Sequence, residues 1–169
     1  MTDEQLHIQP RVARLLKSEE AIYGLILVSG LIVVANSIGV TSFGAFLTVV
    51  VTVLVFFAAH VYAGTLARLA ATDGAAGIGP SIRAAADHSV GMLIISLPPL
   101  IVLALGSLRV VDDETAIWAA LLLDTVLLAV LGWLVVARWT PRFWPRAASA
   151  LITMAFGLIL VLLKALLHH

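Results

Sequence analysis

VVVTVLVFFAAHVYAGTLAR, residues 49–68, is an apolar run whose first strongly polar side chain is His60, close to its far end. A helix rises about 1.5 Å per residue, so roughly 20 such residues cross about 30 Å of hydrocarbon. This stretch reads as the second of five membrane-spanning helices. The others are 21–39, 89–108, 115–137 and 147–167, and the second span itself extends over 43–67. Residues 1–20 form a polar N-terminal arm. Residues 21–169 form one membrane domain with short loops, an all-α polytopic helix bundle.

Composition agrees with that reading. Of 169 residues, 62% are hydrophobic and 12% charged, against about 45–50% and 25% in soluble domains. Ten basic residues balance ten acidic ones, so there is no basic excess to attract nucleic acid. No cysteine is present, which excludes disulfides and thiolate chemistry. Gly74, Gly77 and Gly79 lack the spacing of a dinucleotide-binding or phosphate-binding loop. Val33, Val34 and Ala35 make a poor cleavage site, so the first run is expected to stay as a span.

The arginines and lysines fix an orientation. Arg11, Arg14, Lys17, Arg68, Arg83, Arg138, Arg142 and Arg146 fall on one side of the five spans, and Arg109 and Lys164 on the other. Eight against two places the N-terminus in the cytoplasm and the C-terminus outside, in the plasma membrane. Tyr23, Tyr62, Trp139 and Trp144 fall at the inner interface, and Phe43 and Trp118 at the outer. No internal repeat divides the five spans into halves.

Two groups of polar residues could carry chemistry. Glu20, Tyr23, His60, Tyr62 and His88 share the cytoplasmic level; Glu20, His60 and His88 are candidate metal ligands or a pH-responsive set. Each of these could instead cap a helix or meet a headgroup. Asp124 lies halfway along the fourth span, where a charge costs at least ~2.5–3.5 kcal/mol, so it should face the bundle. Ala116, Ala120, Leu128 and Gly132 share its face at four-residue spacing. Pro98 and Pro99 interrupt the third span at similar depth and free carbonyls near Ile94 and Ile95, with Ser96 beside them. Asp124 is expected to bond that opened backbone, as a lock or as part of a proton or cation path.

Other expectations are local. Ser81 should cap the helical lead into the third span, and Asp112, Asp113 and Glu114 the start of the fourth. Ser149, Thr153 and Gly157 should form a close-packing face on the fifth span. Lys164 should snorkel to the outer surface. No triad, paired acids or membrane-protease motif supports an enzyme, and no cofactor is implied.

Glu-x-x-Tyr-Gly-x-Ile-Leu from Glu20, Phe-Phe-Ala-Ala-His-Val-Tyr-Ala from Phe56, Ala-Ala-Asp-His from Ala85 and Leu-Lys-Ala-Leu-Leu-His from Leu163 together resemble a group of small, uncharacterised actinobacterial integral membrane proteins. That group carries Phe-Trp where this chain has Phe56 and Phe57. The resemblance implies a multi-pass membrane protein and no particular activity. The expected function is a non-enzymatic membrane component whose partners are the bilayer and itself or another membrane protein. The alternatives are a small proton or cation translocator using Asp124 near the Pro98–Pro99 break, and a metal or pH sensor at the cytoplasmic interface.

Overall fold

The computed structural model describes residues 19–37 and 41–167. The N-terminal arm through residue 18, and His168, lie outside the described residues. Five helices make up the described chain: α1 Glu19–Ser37, α2 Ser42–Ala71, α3 Ile78–Ser107, α4 Asp113–Val136 and α5 Phe143–Leu167. Four of them, α2 to α5, are long and apolar enough to cross a membrane; α1 is a shorter apolar helix.

The helix ends follow from their capping residues. Thr41 accepts from the Gly44 amide at the start of α2, and Asp112 from the Thr115 amide at 2.8 Å at the start of α4. Asp113 does something the sequence did not suggest. Its Oδ1 accepts from the Ser42 amide at 3.2 Å, so an acid of α4 caps α2 and ties the two helix starts together. Ser81 is not the cap of α3. The helix begins a turn earlier, behind Gly77 at φ 72°, and the Ser81 hydroxyl donates to the Gly77 carbonyl at 2.7 Å. Gly77 can take that left-handed backbone because it lacks a Cβ. Pro80 is then harmless, since its missing N–H falls among the first-turn donors that have no helical partner.

Helix α1 is the axis of the bundle. It touches each of the other four helices, and Ala21, Leu25, Val28 and Ile32 along it are completely buried. α2 pairs with α3 and α4 with α5 as hairpins around it. α5 presents Leu151, Ile152, Phe156, Ile159 and Leu162 outward, and α2 presents Leu47, Val51, Leu54 and Val55. An apolar exterior of this extent suits hydrocarbon and would drive association in water.

Small residues set the closest approaches, as their spacing indicated. A Cβ on Gly157 would lie 2.7–3.0 Å from atoms of Thr125, and one on Gly132 would overlap the Thr153 hydroxyl and sit 2.7 Å from the Ser149 carbonyl. α4 and α5 therefore meet nearly backbone to backbone. Gly30, by contrast, has nothing within 4 Å of its missing Cβ.

Gly157→Ala should lower the stability of the detergent-solubilised protein by about 1–3 kcal/mol through overpacking. Gly30→Ala should leave it unchanged or raise it by up to about 1 kcal/mol through helix propensity. Thermal melts of the two variants check this contrast of sign. The Thr115 amide holds the Asp112 carboxylate below its ordinary range, so the cap's contribution is present above the unfolded value and lost as pH falls through the folded one. Asp112→Ala should lower the melting temperature at neutral pH, and the difference from wild type should shrink below about pH 4.

Candidate functional site

Asp124 occupies the centre of the bundle. Ala116, Ala120, Asp124 and Leu128 are all at most 1% exposed and Gly132 is buried, so the four-residue stripe is the interior face of α4. The partner of Asp124 is Ser29, midway along α1. Its hydroxyl donates to Oδ2 at 2.5 Å, and Ser29 is itself buried. The other carboxyl oxygen, Oδ1, is buried with no hydrogen-bond partner among the described residues. Leaving a buried polar atom unmatched costs about 1–3 kcal/mol, and the Ser29 bond accounts for only one of the two oxygens.

The expected bond from Asp124 to the backbone before Pro98 and Pro99 does not form. α3 runs through both prolines as one helix, with Pro99 buried and Pro98 half-buried. Ser96, also buried, donates to the Leu93 carbonyl at 2.9 Å on its own helix. The chemistry is against the expected pairing as well, because freed carbonyls only accept, as does an ionised carboxylate. Thr125 likewise donates within its helix, to Leu121. Of these central hydroxyls, only Ser29 reaches the acid.

A second polar pair lies at the level where α1 begins. Glu20 Oε1 and His88 Nε2 are 2.6 Å apart. The Glu20 side chain is 7% exposed and the His88 side chain 69%. Gly24 packs against Met92 one turn further along both helices, so α1 and α3 run parallel with Glu20 facing His88. The second oxygen, Oε2 of Glu20, is also buried without a partner among the described residues. His60 sits at this level too, since Gly64 packs on Ala85 in the antiparallel α2–α3 hairpin. It turns to its own helix instead, with Nδ1 at 3.1 Å from the Phe56 carbonyl and its ring 5.1 Å from the Phe56 ring. Tyr23 and Tyr62 face outward. Among the described residues no three His, Asp or Glu side chains gather closely enough to hold a metal ion.

Lys164 corrects the sequence-based expectation. It does not snorkel: it is 1% exposed, with Nζ 3.5 Å from the centroid of the Trp118 ring and no hydrogen-bond partner among the described residues. The charge of Glu114, a turn before Trp118, also acts on it. The signal lay in the spacing. Lys164 is seven residues beyond Gly157 and so continues the Ser149–Thr153–Gly157 face that packs on α4. A cation above an indole face in a desolvated place is worth about 2 kcal/mol or more.

The three buried ionisable groups among the described residues therefore stand at successive levels: Glu20 with His88 at one end, Asp124 with Ser29 in the middle, and Lys164 with Trp118 at the other. Nine helical residues separate Glu20 from Ser29, about 13–14 Å, and six separate Asp124 from Trp118, about 9 Å. No protein-family model matches the chain, and neither curated proteins nor solved structures give a significant match.

Ser29→Ala should destabilise the folded protein by about 1–3 kcal/mol, because it strands the second oxygen of Asp124. A double-mutant cycle with Asp124→Leu should recover a coupling of about 0.6–2 kcal/mol. A water-soluble amine-reactive ester should modify Lys164 only after unfolding. Peptide mapping that finds Lys164 labelled in the folded protein would instead place its ammonium at the surface.

Proposed function

We propose that the chain is a five-span, non-enzymatic protein of the plasma membrane, with its N-terminus cytoplasmic and its C-terminus outside, and that it passes protons along its central axis. The orientation rests on the eight-to-two distribution of basic residues. The fifth crossing is α1, whose 19 residues give about 28 Å of helix. One observation carries the proton reading. Glu20, Asp124 and Lys164 are buried at three levels, and each keeps a polar atom without a hydrogen-bond partner among the described residues.

Intramembrane ionisable groups are costly, and those on a conducting path come in series. A lock between α1 and α4 accounts for Oδ2 of Asp124 and for Ser29, and for nothing at the other two levels. A proton suits the site better than a metal ion, because among the described residues Asp124 has the Ser29 hydroxyl as its one hydrogen-bond partner and no group of three His, Asp or Glu forms, whereas hard cations take six or more oxygens. His88, exposed and paired to Glu20, faces the cytoplasmic water and would exchange protons there. The spacing between levels exceeds one hydrogen bond, so water must bridge them during transfer.

The Glu20–His88 pair also favours a second reading, a pH sensor at the cytoplasmic interface. In that case protonation of His88 strengthens its hold on Glu20 and no proton crosses.

Proteoliposomes enclosing a pH-sensitive dye, with the membrane potential set by valinomycin, separate the two. Proton flux above that of protein-free liposomes, abolished in Asp124→Asn, is the expected result. Absence of flux in well-folded wild-type protein, or equal flux in the variant, overturns conduction through Asp124.

A further inference from the structure

We infer that the groove between α2 and α3 in the cytoplasmic half of the protein is a binding site for an anionic phospholipid. The groove encloses about 600 Å³ and is walled by Phe57, Val61, Leu66 and Leu69 of α2 and by Ile78 and Ile82 of α3. Its length along α2, from Phe57 to Leu69, is about 18 Å, and Tyr62 at the inner interface divides it, with the Phe57 end on the hydrocarbon side and the Leu69 end at headgroup level.

The wall offers an acyl chain no unsatisfied polar group. Thr65, the one buried hydroxyl along it, donates to the Val61 carbonyl of its own helix at 2.6 Å. Its loop-side end has a different character. Arg68 precedes the lining residue Leu69 and Arg83 follows the lining residue Ile82, so each helix carries an exposed arginine next in sequence to the groove lining where α2 and α3 approach their connecting turn, within reach of a headgroup there although neither lines the groove itself. Both arginines are exposed, and no ion pair engages either among the described residues. The acids nearby are Asp73 in the turn and Asp87 one turn after Arg83, both exposed. Tyr62, at the rim and 67% exposed, adds a phenol that can donate to a phosphate or ester oxygen.

An apolar slot that runs from the hydrocarbon to headgroup level, with an exposed arginine on each helix beside its loop-side end, matches a lipid with a negatively charged head. Basic pockets between helices on the cytoplasmic side recognise such lipids, and guanidinium binds phosphate in bidentate fashion. The inference is independent of proton conduction, because neither Asp124 nor the Glu20–His88 pair lines the groove.

Native mass spectrometry of the full chain, given equimolar phosphatidylglycerol and phosphatidylcholine with identical acyl chains, tests it. Several-fold more phosphatidylglycerol should stay bound to the wild type. Arg68→Gln with Arg83→Gln should bring the two lipids to parity, while Arg138→Gln with Arg142→Gln should leave the preference intact. Ala86→Trp, which fills the groove and spares the arginines, should lower the retention of both lipids. Inorganic phosphate in excess should fail to displace phosphatidylglycerol. Equal retention by the wild type overturns the site, as does a preference that survives loss of Arg68 and Arg83. So does full displacement by phosphate, or unchanged binding in Ala86→Trp.

Discussion

The structure depends on a short hydrogen bond at the middle of the bundle, donated by Ser29 of α1 to Asp124 of α4. α1 contacts all four other helices, and its core side chains Leu25, Val28 and Ile32 are apolar and do not fix its rotation or height. In hydrocarbon, apolar packing discriminates weakly between one rotation of a helix and the next, because lipid tails are as apolar as the side chains. A single polar pair discriminates strongly, since any other setting of α1 takes the Ser29 hydroxyl away and leaves the Asp124 carboxyl buried without its donor. With α1 set, the approach of Gly24 to Met92 follows on one side, and Glu20 comes opposite His88.

The close packing of α4 on α5 has a similar consequence at the far end. Gly132 and Gly157 let the two backbones approach, and that approach carries Lys164 beneath Trp118 instead of outward. An ammonium that might have reached water is thus held inside by the register of small residues several turns away. Asp113, bonded to the Ser42 amide, ties the start of α2 to the start of α4 at that same end. Each end of the molecule and its centre therefore holds at least one polar link between helices, while the perimeter stays apolar.

Much of this was legible in the sequence because lipid imposes simple rules. The lengths of the apolar runs identified five helices, and the four-residue spacing of Ala116, Ala120, Asp124, Leu128 and Gly132 marked the interior face of α4. The small-residue face of α5 was equally plain. What escaped was partner choice. Ser29 is one of several hydroxyls at mid-depth, and nothing local distinguishes it from Ser96, which bonds its own helix. The Pro98–Pro99 break drew attention to α3, yet carbonyls freed by proline cannot donate to a carboxylate. The depth of Lys164 suggests an exit to the surface, whereas its azimuth, shared with Gly157, turns it inward to Trp118. Ser81 resembled a cap, but Gly77 supplies the left-handed turn one residue before α3 begins. His60 shares a level with Glu20 and His88; level is readable from counting residues, and the direction a side chain takes around the helix is not.

The arrangement of α1 against α4 is open to a direct measurement, because the chain has no native cysteine. With cysteines at Leu25 and Leu128, buried in one core cluster a turn from the Ser29–Asp124 contact, and a protease site inserted in the turn between α2 and α3, a short, membrane-permeant thiol cross-linker can be applied in native membranes. The fragments should stay joined after proteolysis, whereas a pair with cysteine at Val34, which is 59% exposed, and Leu128 should separate. Separation of the Leu25–Leu128 pair, or equal joining of both pairs, would contradict a bundle in which Ser29 faces Asp124.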